Sequence, residues 1–214
     1  AGLRQAVTRA TPPRLVFDNA EEGRAWLLDM SGRLARRVPD SWMRERLLTV
    51  IHYEASRAGL DPALVLGLIE VESGFRKYAI SPVGARGLMQ IMPVVARQFN
   101  VPADEVLDPE TNVWLANQLL NRIDKTLRLP AGVPFRDRMS LILASYNGGI
   151  GHVTDARRLA RQHGENPDSW DVVSRYLRLK AEPEYYQSEV VRYGRFTGSR
   201  QTLAYVRDVM GRYD

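Results

Sequence analysis

The chain has 214 residues with 44% hydrophobic and 26% charged content, the balance of a soluble globular protein able to bury one good core. The absence of cysteine excludes disulfide scaffolds, thiolate metal sites and a cysteine nucleophile. A formal net charge of +5 suits an anionic polymer, but no Lys/Arg block with interleaved aromatics occurs, and nucleic acid is not the expected partner.

Residues 1–17, with Thr11-Pro12-Pro13, read as an arm or linker. The first residues, Ala1-Gly2-Leu3-Arg4-Gln5, have neither the apolar core of a signal peptide nor an initiator Met, so an upstream segment is expected to have been removed. No uninterrupted apolar stretch approaches the length of a membrane span. A helix is expected from Asn19 to Val38, with Trp26, Leu27, Met30 and Leu34 on one face. Ser41 is the expected N-cap of a second helix that stops near Gly59. Asp61-Pro62 supplies a cap with Pro at the first helical position, and Gly74 ends that third helix. Two glycines and a proline between Ser81 and Pro93 break the helical period, giving a loop with at most a short β-ribbon. Asp108-Pro109-Glu110 opens a long amphipathic helix. Asp137 starts the next, whose Met139, Leu141, Ile142, Leu143 and Ala144 are too apolar for a surface helix and mark it as central, ending at Asn147-Gly148-Gly149. Further helices are expected at 151–163, 168–180 and 201–213, while 182–199 is aromatic without a clear period. The sum is an all-α fold, one domain over 18–214 in which 18–38 forms a helical extension.

Three pieces carry chemistry. Glu72 sits at the tail of the apolar run from Ala63 to Val71, followed at once by Ser73-Gly74-Phe75. Poor hydration beside Leu68-Ile69 and the negative end of the helix both disfavour its charged form, so a raised pKa is expected, as a general acid requires. The second piece is Ser81-Pro82-Val83-Gly84-Ala85-Arg86-Gly87-Leu88-Met89-Gln90-Ile91-Met92-Pro93, and the third is Ser145-Tyr146-Asn147-Gly148-Gly149. Ordinary glycosidases use two carboxylates about 5–10 Å apart. Glu70 lies two residues from Glu72, about 200° around a helix, and points to the opposite side. Asp104 and Asp108 stay open as partners. His52, His152 and His163 show no metal-ligand spacing, and neither a phosphate-cradling glycine loop nor a Gly-x-Ser-x-Gly elbow is present. No metal and no cofactor are expected.

In order and spacing, Glu72-Ser73, Gly87-Leu88-Met89-Gln90 and Tyr146-Asn147 resemble the family 1 lytic transglycosylases (SLT domain), which have a goose-type lysozyme-like fold. The resemblance covers 40–147 and resumes at Gln201-Thr202-Leu203-Ala204-Tyr205-Val206, with Gln201 where the family has Glu and Ser145 where Ala is commoner. Tyr193 to Phe196 is similar to the membrane-bound F-type branch. The resemblance implies peptidoglycan glycan strands as substrate and the cell envelope or periplasm as location. Membrane attachment would run through an upstream segment. Glu72 would protonate the glycosidic oxygen between N-acetylmuramic acid and N-acetylglucosamine, then deprotonate the C6 hydroxyl as a 1,6-anhydro ring closes. Ser73, Ser81, Gln90, Met92, Tyr146, Asn147 and Tyr205 would bind substrate. The alternatives are a muramidase hydrolysing the same bond with help from Asp104 or Asp108, and a non-catalytic glycan-binding module.

Overall fold

Three helices begin the structure, a computed structural model that describes Phe17 and residues 19–213. The expected arm, save Phe17, lies outside the described residues. Helix α1 spans Ala20–Leu34, capped by the Asn19 side chain accepting the Glu22 N–H at 2.8 Å. Its expected inner face is in place: Leu34 is buried and Trp26, Leu27 and Met30 half-buried. Phe17 belongs with these helices, stacking on His52 with ring centroids 4.3 Å apart, and Trp26 meets the same imidazole edge-on.

Helix α2 spans Ser41–Arg57 and packs on α1. Its cap is Asp40 rather than the expected Ser41: the Asp40 carboxylate accepts the Met43 N–H at 2.8 Å, and Ser41 is the first helical residue. Both residue types cap well; Asp adds a negative charge at the positive end of the helix dipole. Helix α3, Pro62–Ser73, packs on α2 and begins and ends as expected, with Asp61 accepting the Ala63 N–H and Gly74 in the left-handed region at φ 60°. Leu64 through Ile69 are all buried, the pattern of a helix covered on every side.

The chain divides into two compact units at Gln118/Leu119. The first continues through a loop, the short helix α4 (Pro93–Gln98) and a single 3₁₀ turn (Ala103–Glu105). Helix α5, Pro109–Leu127, carries the chain across the boundary. It opens at Asp108-Pro109 as expected, and Asp108 caps it, its Oδ2 accepting the Thr111 N–H at 3.0 Å and hydroxyl at 2.9 Å.

The second unit holds α6 (Phe135–Gly148), α7 (Ile150–Gln162), α8 (Trp170–Leu179), the one-turn α9 (Pro183–Tyr186) and α10 (Ser199–Tyr213). Helix α6 packs against α7, α8 and α10, the central place in this unit that its apolar sequence predicts. It starts two residues before the expected Asp137, with Pro134, whose φ of −56° suits a helix entry, at its N-cap. Asp137 does other work, accepting the Trp170 N–H at 2.8 Å from the start of α8. No strand forms among the described residues, only isolated bridges pairing Arg86 with Ile80 and Ile91. The all-α expectation and its small β-like element are both met.

Candidate active site

Glu72 lies in the last turn of α3, half-buried, between groups that finish the helix. The Gly74 N–H returns to the Glu70 carbonyl at 3.0 Å. Ser73 is 2% exposed and donates its hydroxyl to the Ile69 carbonyl at 3.2 Å. Arg76 donates Nε–H to the Ser73 carbonyl at 3.0 Å, a cation at the negative end of the helix. Glu70 is set apart from Glu72 by an ion pair of 3.6 Å with Arg37.

The loop after α3 is tied to itself. The Ser81 N–H donates to Ala85 O at 2.9 Å and the Ser81 Oγ accepts the Ala85 N–H at 3.0 Å. Arg86 and Ile91 exchange both backbone bonds, at 3.0 and 2.9 Å. Gln90, at φ 52°, spends its side-chain NH₂ on the carbonyls of Ala79 (3.2 Å) and Gly87 (3.0 Å), which leaves its Oε1 as the group able to meet a ligand. Met92 is half-buried and precedes α4 as its cap residue.

A residue that sequence reasoning missed holds this loop from outside. Asn112, fully buried in α5, accepts the Met89 N–H at 2.8 Å and donates to the carbonyls of Arg86 (2.8 Å) and Val106 (2.9 Å). Gly87 is required by the same contact: a Cβ there would fall 2.5 Å from the Asn112 Nδ2, on a backbone already at φ 79°. The signal available in the sequence was an Asn beside Val113 among the apolar positions of an amphipathic helix.

In the second unit, Tyr146 and Asn147 end α6, both half-buried. The Asn147 Oδ1 accepts the Thr202 hydroxyl at 2.9 Å, joining the end of α6 to α10. Thr202 was also missed, although it is buried and would meet a Cβ at Gly148 at 2.8 Å from its Oγ1. Tyr205 follows one turn along α10 at 8% exposure, while Gln201, the departure from the expected motif, is exposed. Thus Glu72, Ser73, Ser81, Gln90 and Met92 fall in the first unit and Tyr146, Asn147 and Tyr205 in the second.

The two carboxylates left open as partners of Glu72 are placed apart from such a role. Asp104 is exposed on the 3₁₀ turn and Asp108 is committed to capping α5. Glu54 of α2, unremarked in the sequence, is 4% exposed with Arg57 at 3.6 Å. Its pKa is raised to about 7, chiefly by burial and further by Glu110, against the pull of Arg57. Among the described residues no cluster of His, Asp and Glu is placed to hold a metal ion, and no helix is long and apolar enough to cross a membrane.

Residues 49–168 match the family model described as the transglycosylase SLT domain. That span contains every expected site residue except Tyr205. Among curated relatives, the membrane-bound lytic murein transglycosylase F of Alcanivorax borkumensis is 37% identical over 157 residues, 73% of this chain and 32% of the relative. The membrane-bound lytic murein transglycosylase F 2 of Alkalilimnicola ehrlichii is 39% identical over 145 residues, 67% of this chain and 31% of the relative. The chain therefore spans about a third of the length of these relatives. An inactive mutant of the lytic transglycosylase Slt from Pseudomonas aeruginosa shares the fold, with a TM-score of 0.51 at 21% identity over 87% of this chain and 29% of that one.

Proposed function

The chain belongs to the transglycosylase SLT domain family, and on that premise we propose that it cleaves the β-1,4 bond between N-acetylmuramic acid and N-acetylglucosamine in peptidoglycan, leaving a 1,6-anhydromuramic end. The observation that carries this reading is the placing of Glu72: a half-buried residue at the end of a helix whose Leu64 to Ile69 and Ser73 are buried in the core. Glu72 gives its proton to the glycosidic oxygen as the bond from C1 to that oxygen breaks. The resulting carboxylate then takes the proton of the C6 hydroxyl while O6 closes on C1, so Glu72 ends protonated and no water is consumed. One carboxyl suffices for this cycle, which fits a site where Glu70 is engaged with Arg37 and Asp108 with a helix cap.

The supporting roles follow from what each side chain has left to offer. Ser81, whose oxygen already accepts a backbone N–H, keeps its hydroxyl proton to donate. Gln90 keeps an acceptor, and Met92 a soft apolar wall. Ser73 fixes the turn that carries Glu72. In the second unit, Tyr146, Asn147 and Tyr205 are taken as glycan-binding residues by their place in the family's motifs. In this reading 18–214 acts as one lytic transglycosylase domain in the bacterial cell envelope, with membrane attachment outside the present sequence and no cofactor. Mass spectrometry of the soluble products from bacterial sacculi tests it. Products lacking one water, with no reducing muramic end, are expected; reducing-end products would replace this mechanism with hydrolysis.

A further inference from the structure

The aromatic segment after α9 plays no part in the chemistry above, yet its backbone is anchored to a buried charge cluster. Asp155 of α7 is fully buried and accepts the Arg192 N–H and the Tyr193 N–H, each at 2.8 Å. Lys180, also fully buried, donates to the Asp155 Oδ2 at 2.7 Å and lies 2.7 Å from the His152 Nδ1. The Lys180 carbonyl accepts the Phe196 N–H at 3.3 Å, and the Phe196 ring stacks on His152 at 4.5 Å. A buried ion pair costs desolvation that its own attraction seldom exceeds, and its clearest use is to fix one geometry. What is fixed here is the backbone at 192–193.

That backbone presents Tyr193 at the surface, 60% exposed. Its ring rests on Gly151: a Cβ there would sit 2.7 Å from both Cγ and Cδ1 and 2.9 Å from Cδ2. Near-equal distances mean that the ring lies flat on the glycine rather than meeting it edge-on. One face is therefore seated on backbone while the other is open. The turn beneath it, Gly148 to Gly151, leads directly from Tyr146-Asn147, and Gly148 packs under Phe196 and Thr202.

An immobilised, open aromatic face suits the apolar C–H face of a pyranose, as such faces suit nucleobases. Holding it in place beforehand spares the ordering cost on binding. We propose that Tyr193 is a sugar-stacking platform forming a further glycan subsite beside Asn147, with Gly151 as its seat and the Asp155–Lys180 pair as its positioning element. This subsite rests on the glycan-cleaving reading above and deepens it.

The test is equilibrium binding of peptide-free peptidoglycan glycan strands to the full chain carrying Glu72→Gln. Added Tyr193→Ala should weaken binding about three- to tenfold with an unchanged melting temperature, whereas Tyr193→Phe and Tyr193→Trp should keep it. Gly151→Ala should weaken binding similarly, because its Cβ displaces the ring, and alanine strengthens rather than breaks the helix. The two alanine variants combined should lose no more than either alone. Binding by the Tyr193→Ala protein within about twofold of its parent overturns the subsite while leaving the enzyme reading intact. A parent chain that binds no glycan overturns both.

Discussion

Replacing Glu54 by Gln should change stability in a way that depends on pH. Glu54 is 4% exposed, and its pKa stands at about 7 against an ordinary 4.5, with burial as the main cause. The folded chain thus holds a proton that the unfolded chain releases as pH rises from 4.5 toward 7. Folding is favoured most below 4.5, and the advantage is lost as pH climbs through the folded pKa. At about 1.4 kcal/mol per pKa unit, the interval between 4.5 and about 7 amounts to about 3 kcal/mol. Gln resembles the protonated carboxyl, so the variant escapes this cost. At pH 8 it should melt about 6–12 °C above wild type, the shift that about 3 kcal/mol gives a chain of this size. At pH 4.5 the two should nearly coincide. Thermal melts by circular dichroism at both pH values make the comparison. An equal gap at the two pH values, or a variant that melts lower at pH 8, would refute the reasoning.

Glu72→Gln should lower turnover on sacculi by about 10²–10⁴-fold, the usual worth of general acid–base catalysis, with glycan binding and melting temperature retained; near-normal cleavage would remove Glu72 from the chemistry. Asn112→Ala strands the Met89 N–H and the carbonyls of Arg86 and Val106, and should cost about 2–4 kcal/mol. Its denaturation midpoint measures this, and an unchanged midpoint counts against the clamp. Thr202→Val keeps the volume but removes the donor to Asn147. A loss of about 1 kcal/mol is expected, with kcat/KM falling further than the melting curve explains; equal kcat/KM would leave the bond a purely structural link.

Much of the fold is written in short-range signals. Asp61-Pro62 and Gly74 bracket α3 because a cap, a preset φ and a left-handed stop all act within one turn. The Asp40 cap was misplaced by one residue because Asp and Ser are near-equal caps and only the tertiary path separates them. The half-buried place of Glu72 in the last turn of α3 was legible from its apolar neighbours. Asn112 was not, since its three partners lie 6 to 26 residues away and no local pattern links them. Glu54 was invisible for the same reason: its burial is decided by helices that α2 packs against, not by α2's own period. The charge cluster under Tyr193 joins residues up to 38 positions apart, and a lone Lys at the end of α8 carries no sign that it will be buried.

The loop that follows Glu72 is shaped by a side chain it does not contain. With its turn fixed at Arg86 and Met89 by Asn112, the outer side chains have no such duty: Ile80 is 59% and Val83 77% exposed. Conformation and surface identity are thereby assigned to different positions, one set in α5 and the other at the loop tip. A sequence can then drift at Ile80, Pro82 or Val83, or be redesigned there, without rebuilding the turn that presents Gln90. The tip of the loop is free to adapt because its frame is held elsewhere.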